Sequence, residues 1–126
     1  MMVKAKYQEV LDLGASLQIQ NGDVQESNGV LHIKGEARTP YEKNMLWDKI
    51  KAIGGESPSD IVADITIRDS SVYHRHVVSS GDTLGKIAKH YYGDPMKYQN
   101  IFNANTDILK NPDVIFPDQE LIIPNI

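Results

Sequence analysis

The stretch Ser79-Ser80-Gly81-Asp82-Thr83-Leu84-Gly85-Lys86-Ile87-Ala88-Lys89-His90-Tyr91-Tyr92-Gly93 decides how the second half of the chain folds. It opens as a turn that ends on Asp82 and Thr83, whose short polar side chains accept hydrogen bonds from the unpaired N–H groups of a helix start. Leu84, Ile87, Ala88, Tyr91 and Tyr92 then recur at i, i+3, i+4, i+7 and i+8, which puts one apolar stripe on a helix. Gly93 stops that helix. Downstream, Asp94-Pro95 supplies a cap and a first-turn proline for a second helix, with Tyr98, Ile101 and Phe102 as its buried stripe. Asn103 to Pro117 reads as a long loop, and Glu120 to Ile123 as a closing strand before Pro124. Upstream, Tyr73 to Val78 is a β-prone run. The result is a βααβ unit over residues 73–126.

The first half has a different rhythm. Tyr7, Val10, Leu11, Gly14 and Leu17 share one helical face over residues 3–18, with Gly14 a weak point in that helix. Asn28-Gly29 stands between two short alternating runs, Val24 to Glu26 and Val30 to Glu36. Both residues accept the positive φ of a type I′ turn, so the segment reads as a hairpin. Thr39-Pro40 caps and starts a second helix through Met45, Leu46, Lys49, Ile50 and Ile53, ended by Gly54-Gly55. Ile61, Ala63, Ile65 and Ile67 alternate as a third strand. Residues 1–70 are therefore an αββαβ unit in which two helices cover one face of a three-stranded sheet. Asp69-Ser70-Ser71 is the polar joint, and the whole chain is α+β.

The second half resembles a LysM domain along nearly its whole length. The resemblance rests on Ser80-Gly81-Asp82-Thr83-Leu84, Ile87-Ala88, Tyr92-Gly93 and Ile101-Phe102-Asn103-Ala104-Asn105. It continues through Pro112, Ile115, Pro117, Gln119, Leu121, Ile123 and Pro124. The family commonly has glycine after the second loop proline, where this chain has Asp118. Aspartate enters the left-handed region at modest cost, so the turn is expected to survive. The first half is similar to a BON domain through Asn28-Gly29-Val30-Leu31-His32-Ile33-Lys34-Gly35. The two in succession resemble the arrangement found in small bacterial potassium-binding proteins.

These resemblances imply ligands. LysM domains bind N-acetylglucosamine-containing glycans such as peptidoglycan and chitin in a shallow groove. Carried onto this chain, one wall is Gly81, Asp82, Thr83 and Leu84, and the other is Asn105, Ile108, Leu109, Ile115 and Phe116. Asp82 and Thr83 also cap a helix, and Leu84 and Ile115 also suit a core. The potassium-binding resemblance implies an ion held by six to eight oxygens, many of them backbone carbonyls, which no side-chain pattern reveals. The interface between the halves, around Asp64 to Asp69 and the start of the second unit, is where such a cage is expected. A third role, as an assembly adaptor, is also open to LysM modules.

Composition narrows the rest. There is no cysteine, which excludes disulfides, thiolate metal sites and cysteine nucleophiles. A net charge of −4 lacks the basic field that nucleic acid requires. Residues 1–72 hold 8 basic and 11 acidic side chains and residues 73–126 hold 5 and 6, so neither half is a specialised charged surface. His74 and His76 share one strand face but have no third ligand at metal spacing, and they are expected to face solvent. Glu42 and Asp48 are expected on a wet helix face, and Tyr91 and Tyr98 in the core. No nucleophile elbow, phosphate loop or paired-carboxylate pattern is present. The expectation is a monomeric, non-catalytic binding protein that needs no cofactor, with potassium as the one candidate ion. No apolar leader follows the N-terminal lysines and no stretch suits membrane insertion, so the cytoplasm is the expected location.

Overall fold

A computed structural model describes residues 2–126. The chain divides into two compact units, Met1–Ser70 and Ser71–Ile126, each with its own apolar core.

In unit one the opening helical segment is broken, giving α1 (Met2–Lys6) and α2 (Gln8–Ser16). The break lies at Tyr7 and leaves Gly14 inside an intact helix. Tyr7 is fully buried and its hydroxyl donates to Asp60 Oδ1 at 2.5 Å, so packing and a long-range hydrogen bond set the chain direction there. Gly54 completes this corner, because a Cβ there would meet the Tyr7 hydroxyl at 2.2 Å.

β1 (Gln20–Ser27) and β2 (Val30–Ala37) form the expected hairpin, with Asn28 and Gly29 at φ 53° and 76°. β1 reaches further than its apolar alternation indicates, and it is irregular between Gln20 and Asp23. α3 (Pro40–Gly54) carries the chain across to β3 (Ile61–Ile67), which pairs parallel with β2 in the order β1-β2-β3. Leu31, Ala37, Ile61 and Ile65 face the helices, where Val10, Leu46 and Ile50 cover them. Apolar burial of this kind contributes about 25 cal/mol per Å². The opposite face carries His32, Lys34, Val62 and Asp64, three of the four polar.

Glu42 corrects the sequence reading. It is only 1% exposed, and it closes the start of α3. Thr39 Oγ1 accepts the Glu42 N–H, while the Glu42 carboxylate accepts from Arg38 N, Nε and Nη2 at 2.6–3.0 Å. A buried carboxylate is tolerable only when paired in this way.

Unit two is built on β4 (His74–Val77), α4 (Leu84–Tyr92), a 3₁₀ turn (Pro95–Lys97), α5 (Tyr98–Ala104) and β5 (Glu120–Ile123). β4 and β5 pair antiparallel, and both helices pack their stripes against them through Leu84, Ile87, Ala88, Ile101, Leu121 and Ile123. The Asp94-Pro95 signal starts the 3₁₀ turn, and α5 follows directly from it. Asp118 takes φ 73°, the left-handed conformation expected of it. Among the described residues no helix is long and apolar enough to cross a membrane.

Candidate ligand-binding cleft

The turn before α4 is fixed from several sides. Asp82 N–H donates to Ser79 O at 3.0 Å, and Gly81 sits at φ 90°, the position of a type II turn that favours glycine. Asp82 Oδ2 accepts the Ser79 N–H at 2.8 Å and lies 2.9 Å from His76 Nε2. These bonds, the Ser79 N–H first and His76 second, hold the Asp82 carboxyl below its ordinary range. Thr83 Oγ1 accepts the Lys86 N–H at 3.1 Å and caps α4. Lys86 Nζ reaches back to Gly81 O at 3.4 Å.

Beside this turn runs an open cleft of about 420 Å³. Asp82, Thr83, Leu84 and Gly85 form one wall, Pro112, Asp113 and Ile115 the other, and Tyr98 closes it. Its size falls within the range of small-molecule sites, and its lining is about equally polar and apolar, more polar than such sites usually are.

Of the residues expected here, Asp82, Thr83, Leu84 and Ile115 meet at the cleft. Gly81 shapes the turn next to it. Ile108 and Phe116 are 45% and 61% exposed on the long loop but do not line the cleft. Asn105 and Leu109 do not line it either. Both are buried, at 1% and 2% exposure, so their side chains face the interior. The Asn105 amide is fully used: Nδ2 donates to Ile101 O and Ile122 O, and Oδ1 accepts the Ile122 N–H.

The sequence reading does not single out Gly85 or Asp113, and it takes Pro112 only as a loop residue and Tyr98 only as core. Tyr98 faces both the core and the cleft, and helical spacing signals only the core. Pro112 and Asp113 belong to a loop without periodicity, whose course depends on turns such as Asp113 N–H to Asn111 Oδ1.

The histidines also differ from expectation. His74 and His76 are half-buried beneath α4, not solvent-facing. His76 Nδ1 lies 2.7 Å from the Tyr91 hydroxyl, and the rings of His74, His76 and His90 lie 5.6, 5.5 and 4.8 Å from the Tyr91 ring. Among the described residues no group of three or more His, Cys, Asp or Glu is placed to hold a metal ion. Asp64 stands on the polar face of the first unit's sheet, paired in register with Lys34.

Comparison with known proteins adds two findings. The model of the LysM domain family matches residues 76–124. Over 120 residues the chain is 33% identical to the potassium binding protein Kbp of Escherichia coli O6:H1, covering 94% of this chain and 79% of that protein. It is also 30% identical over 112 residues to an uncharacterized protein of Deinococcus radiodurans, covering 81% of this chain and 44% of that protein.

Proposed function

Because this chain belongs to the family of the potassium binding protein Kbp and carries a LysM domain, we propose that it is a non-catalytic binding protein whose cleft takes an N-acetylglucosamine-containing glycan of the peptidoglycan or chitin type. The observation that carries this reading is the cleft between the Asp82–Gly85 turn and the Pro112–Ile115 loop. Tyr98 and Ile115, both half-buried, offer an apolar surface for the flat face of a pyranose and for an acetyl methyl, with the buried Leu84 behind them. The Thr83 hydroxyl oxygen accepts in the helix cap but its proton can still donate, so polar recognition falls to that proton, to main-chain groups of the two walls and to Asp113. A single open cleft has no avidity to draw on, and the affinity of one copy is weak.

A second reading is favoured by a separate observation. The similarity to the potassium binding protein runs over 94% of this chain, well beyond the LysM domain. In that reading the ligand is potassium, held largely by backbone carbonyls.

One titration separates the two. Amide resonances of the full chain are followed by NMR against N-acetylglucosamine oligomers, potassium and sodium. Shifts confined to residues 81–85 and 112–115 on adding the oligomer support the glycan cleft. Silence to the oligomer, with amides that respond to potassium and not to sodium, rejects the cleft and supports the ion.

A further inference from the structure

His76 lies outside the cleft, yet its ring is the link between the cleft's first wall and the body of the unit. We propose that His76 is the positioning residue of the cleft: it fixes the Ser79–Leu84 turn through Asp82 and is itself oriented by Tyr91. The proposal rests on the reading of the cleft as the ligand site.

The geometry is a relay of three short contacts. Tyr91 on α4 meets His76 Nδ1 at 2.7 Å, His76 Nε2 meets Asp82 Oδ2 at 2.9 Å, and that same oxygen accepts the Ser79 N–H at 2.8 Å. The two side chains are shielded, at 21% and 25% exposure, so the contact is not an ordinary surface pair. One carboxylate oxygen thus joins β4 to the turn, and the turn continues into the cleft wall of Asp82, Thr83, Leu84 and Gly85. His74 from β4 and His90 from α4 flank Tyr91, Lys86 from α4 acts on Asp82, and β5 presents apolar Leu121 and Ile123 opposite His76 and His74.

Tyr91 holds the ring in place. With Nε2–H donated to Asp82, Nδ1 is left as an acceptor and takes the Tyr91 hydroxyl proton, so the ring is held at both nitrogens. Removing that hydroxyl leaves the Asp82 contact possible but frees the ring to turn, and the wall loosens.

The test uses the full chain and amide hydrogen exchange by NMR, with an N-acetylglucosamine pentasaccharide as ligand. His76→Ala should lower protection of the Ser79 amide about tenfold and weaken pentasaccharide binding about fivefold, while the Ile87 and Ile101 amides stay protected. His76→Gln should recover most of both, since its amide N–H reaches the place of Nε2. In Tyr91→Phe, Ser79 protection should fall about threefold relative to wild type after correction for intrinsic exchange. Undiminished Ser79 protection in His76→Ala, or in Tyr91→Phe, overturns the proposal. If His76→Ala does not fold, Tyr91→Phe still decides. Failure of the pentasaccharide to bind the wild type would reject the glycan reading, and Ser79 exchange would still settle the role of His76.

Discussion

Replacing Asn105 by alanine should nearly unfold the second unit while leaving the first untouched. The side chain makes three hydrogen bonds, of 2.7 and 2.9 Å to the carbonyls of Ile101 and Ile122 and of 2.8 Å from the Ile122 N–H. Alanine removes all three and leaves those backbone groups without partners where water has poor access. At about 1 kcal/mol for each bond, with a further penalty for the stranded donor, the loss comes to about 3–4 kcal/mol. A unit of the size of Ser71–Ile126 holds only about 3–8 kcal/mol in total. Asn105→Asp should cost as much, because it turns a donor into an acceptor facing two carbonyls. The assay is urea unfolding read from two places. Trp47, the only tryptophan, reports on unit one, and the resolved amide peaks of Ile87 and Ile101 report on unit two. A loss under about 1 kcal/mol in unit two would refute the claim that this amide ties α5 to β5.

Four further outcomes are expected. Glu42→Ala should cost unit one about 2 kcal/mol, discounted because Arg38 is 52% exposed, and Glu42→Gln should cost less since its oxygen still accepts the Arg38 N–H; Trp47 emission in urea measures both. Asp118→Ala should destabilise unit two by about 1 kcal/mol, because alanine bears the φ of 73° less well than aspartate, and Asp118→Gly should not. The depressed Asp82 carboxyl stabilises the folded state above its unfolded value of about 3.9, and that contribution is lost as pH falls through its lower folded value. Asp82→Asn should therefore flatten the acid limb of unit two's stability, as measured by thermal unfolding between pH 2 and 6. Tyr7 and Tyr92, each pushed up to about 12 chiefly by burial, contribute stability that is full below about pH 10 and lost as pH rises toward 12. Phenolate absorbance should rise with unfolding in that window, and Tyr92→Phe should remove part of the unit-two signal.

Where local chemistry dictates structure, the sequence was readable. Thr83 and Asp94 cap as short polar residues at helix starts do, Asn28-Gly29 turns with both φ positive, and the alternation of Ile61 to Ile67 is a strand with Ile61 and Ile65 inside. What escaped was set by partners distant along the chain. Tyr7 breaks a helix because Asp60 waits 53 residues away, and Glu42 is buried because Arg38 wraps it. The cleft was half legible. The turn wall carries a recognisable pattern, whereas the loop wall is set by local turns such as Asp113 N–H to Asn111 Oδ1, and a motif does not distinguish an asparagine that touches ligand from one that ties the core. His74 and His76 show the same limit, since alternation gives their shared side but not the helix that covers it.

The pairing of β4 with β5 brings Tyr73 N–H to Ile123 O at 2.8 Å, so the second unit enters and leaves its fold at adjacent points. Such a unit behaves as a cassette. It can be spliced into an exposed loop of another protein, or strung in tandem, with little strain on its host or its neighbours. Joining those two points by a short linker and opening the chain elsewhere would give a permuted molecule with the same cleft. Repeating the cassette would multiply the number of weak sites along one chain, a route to tight binding that needs no change to any single site.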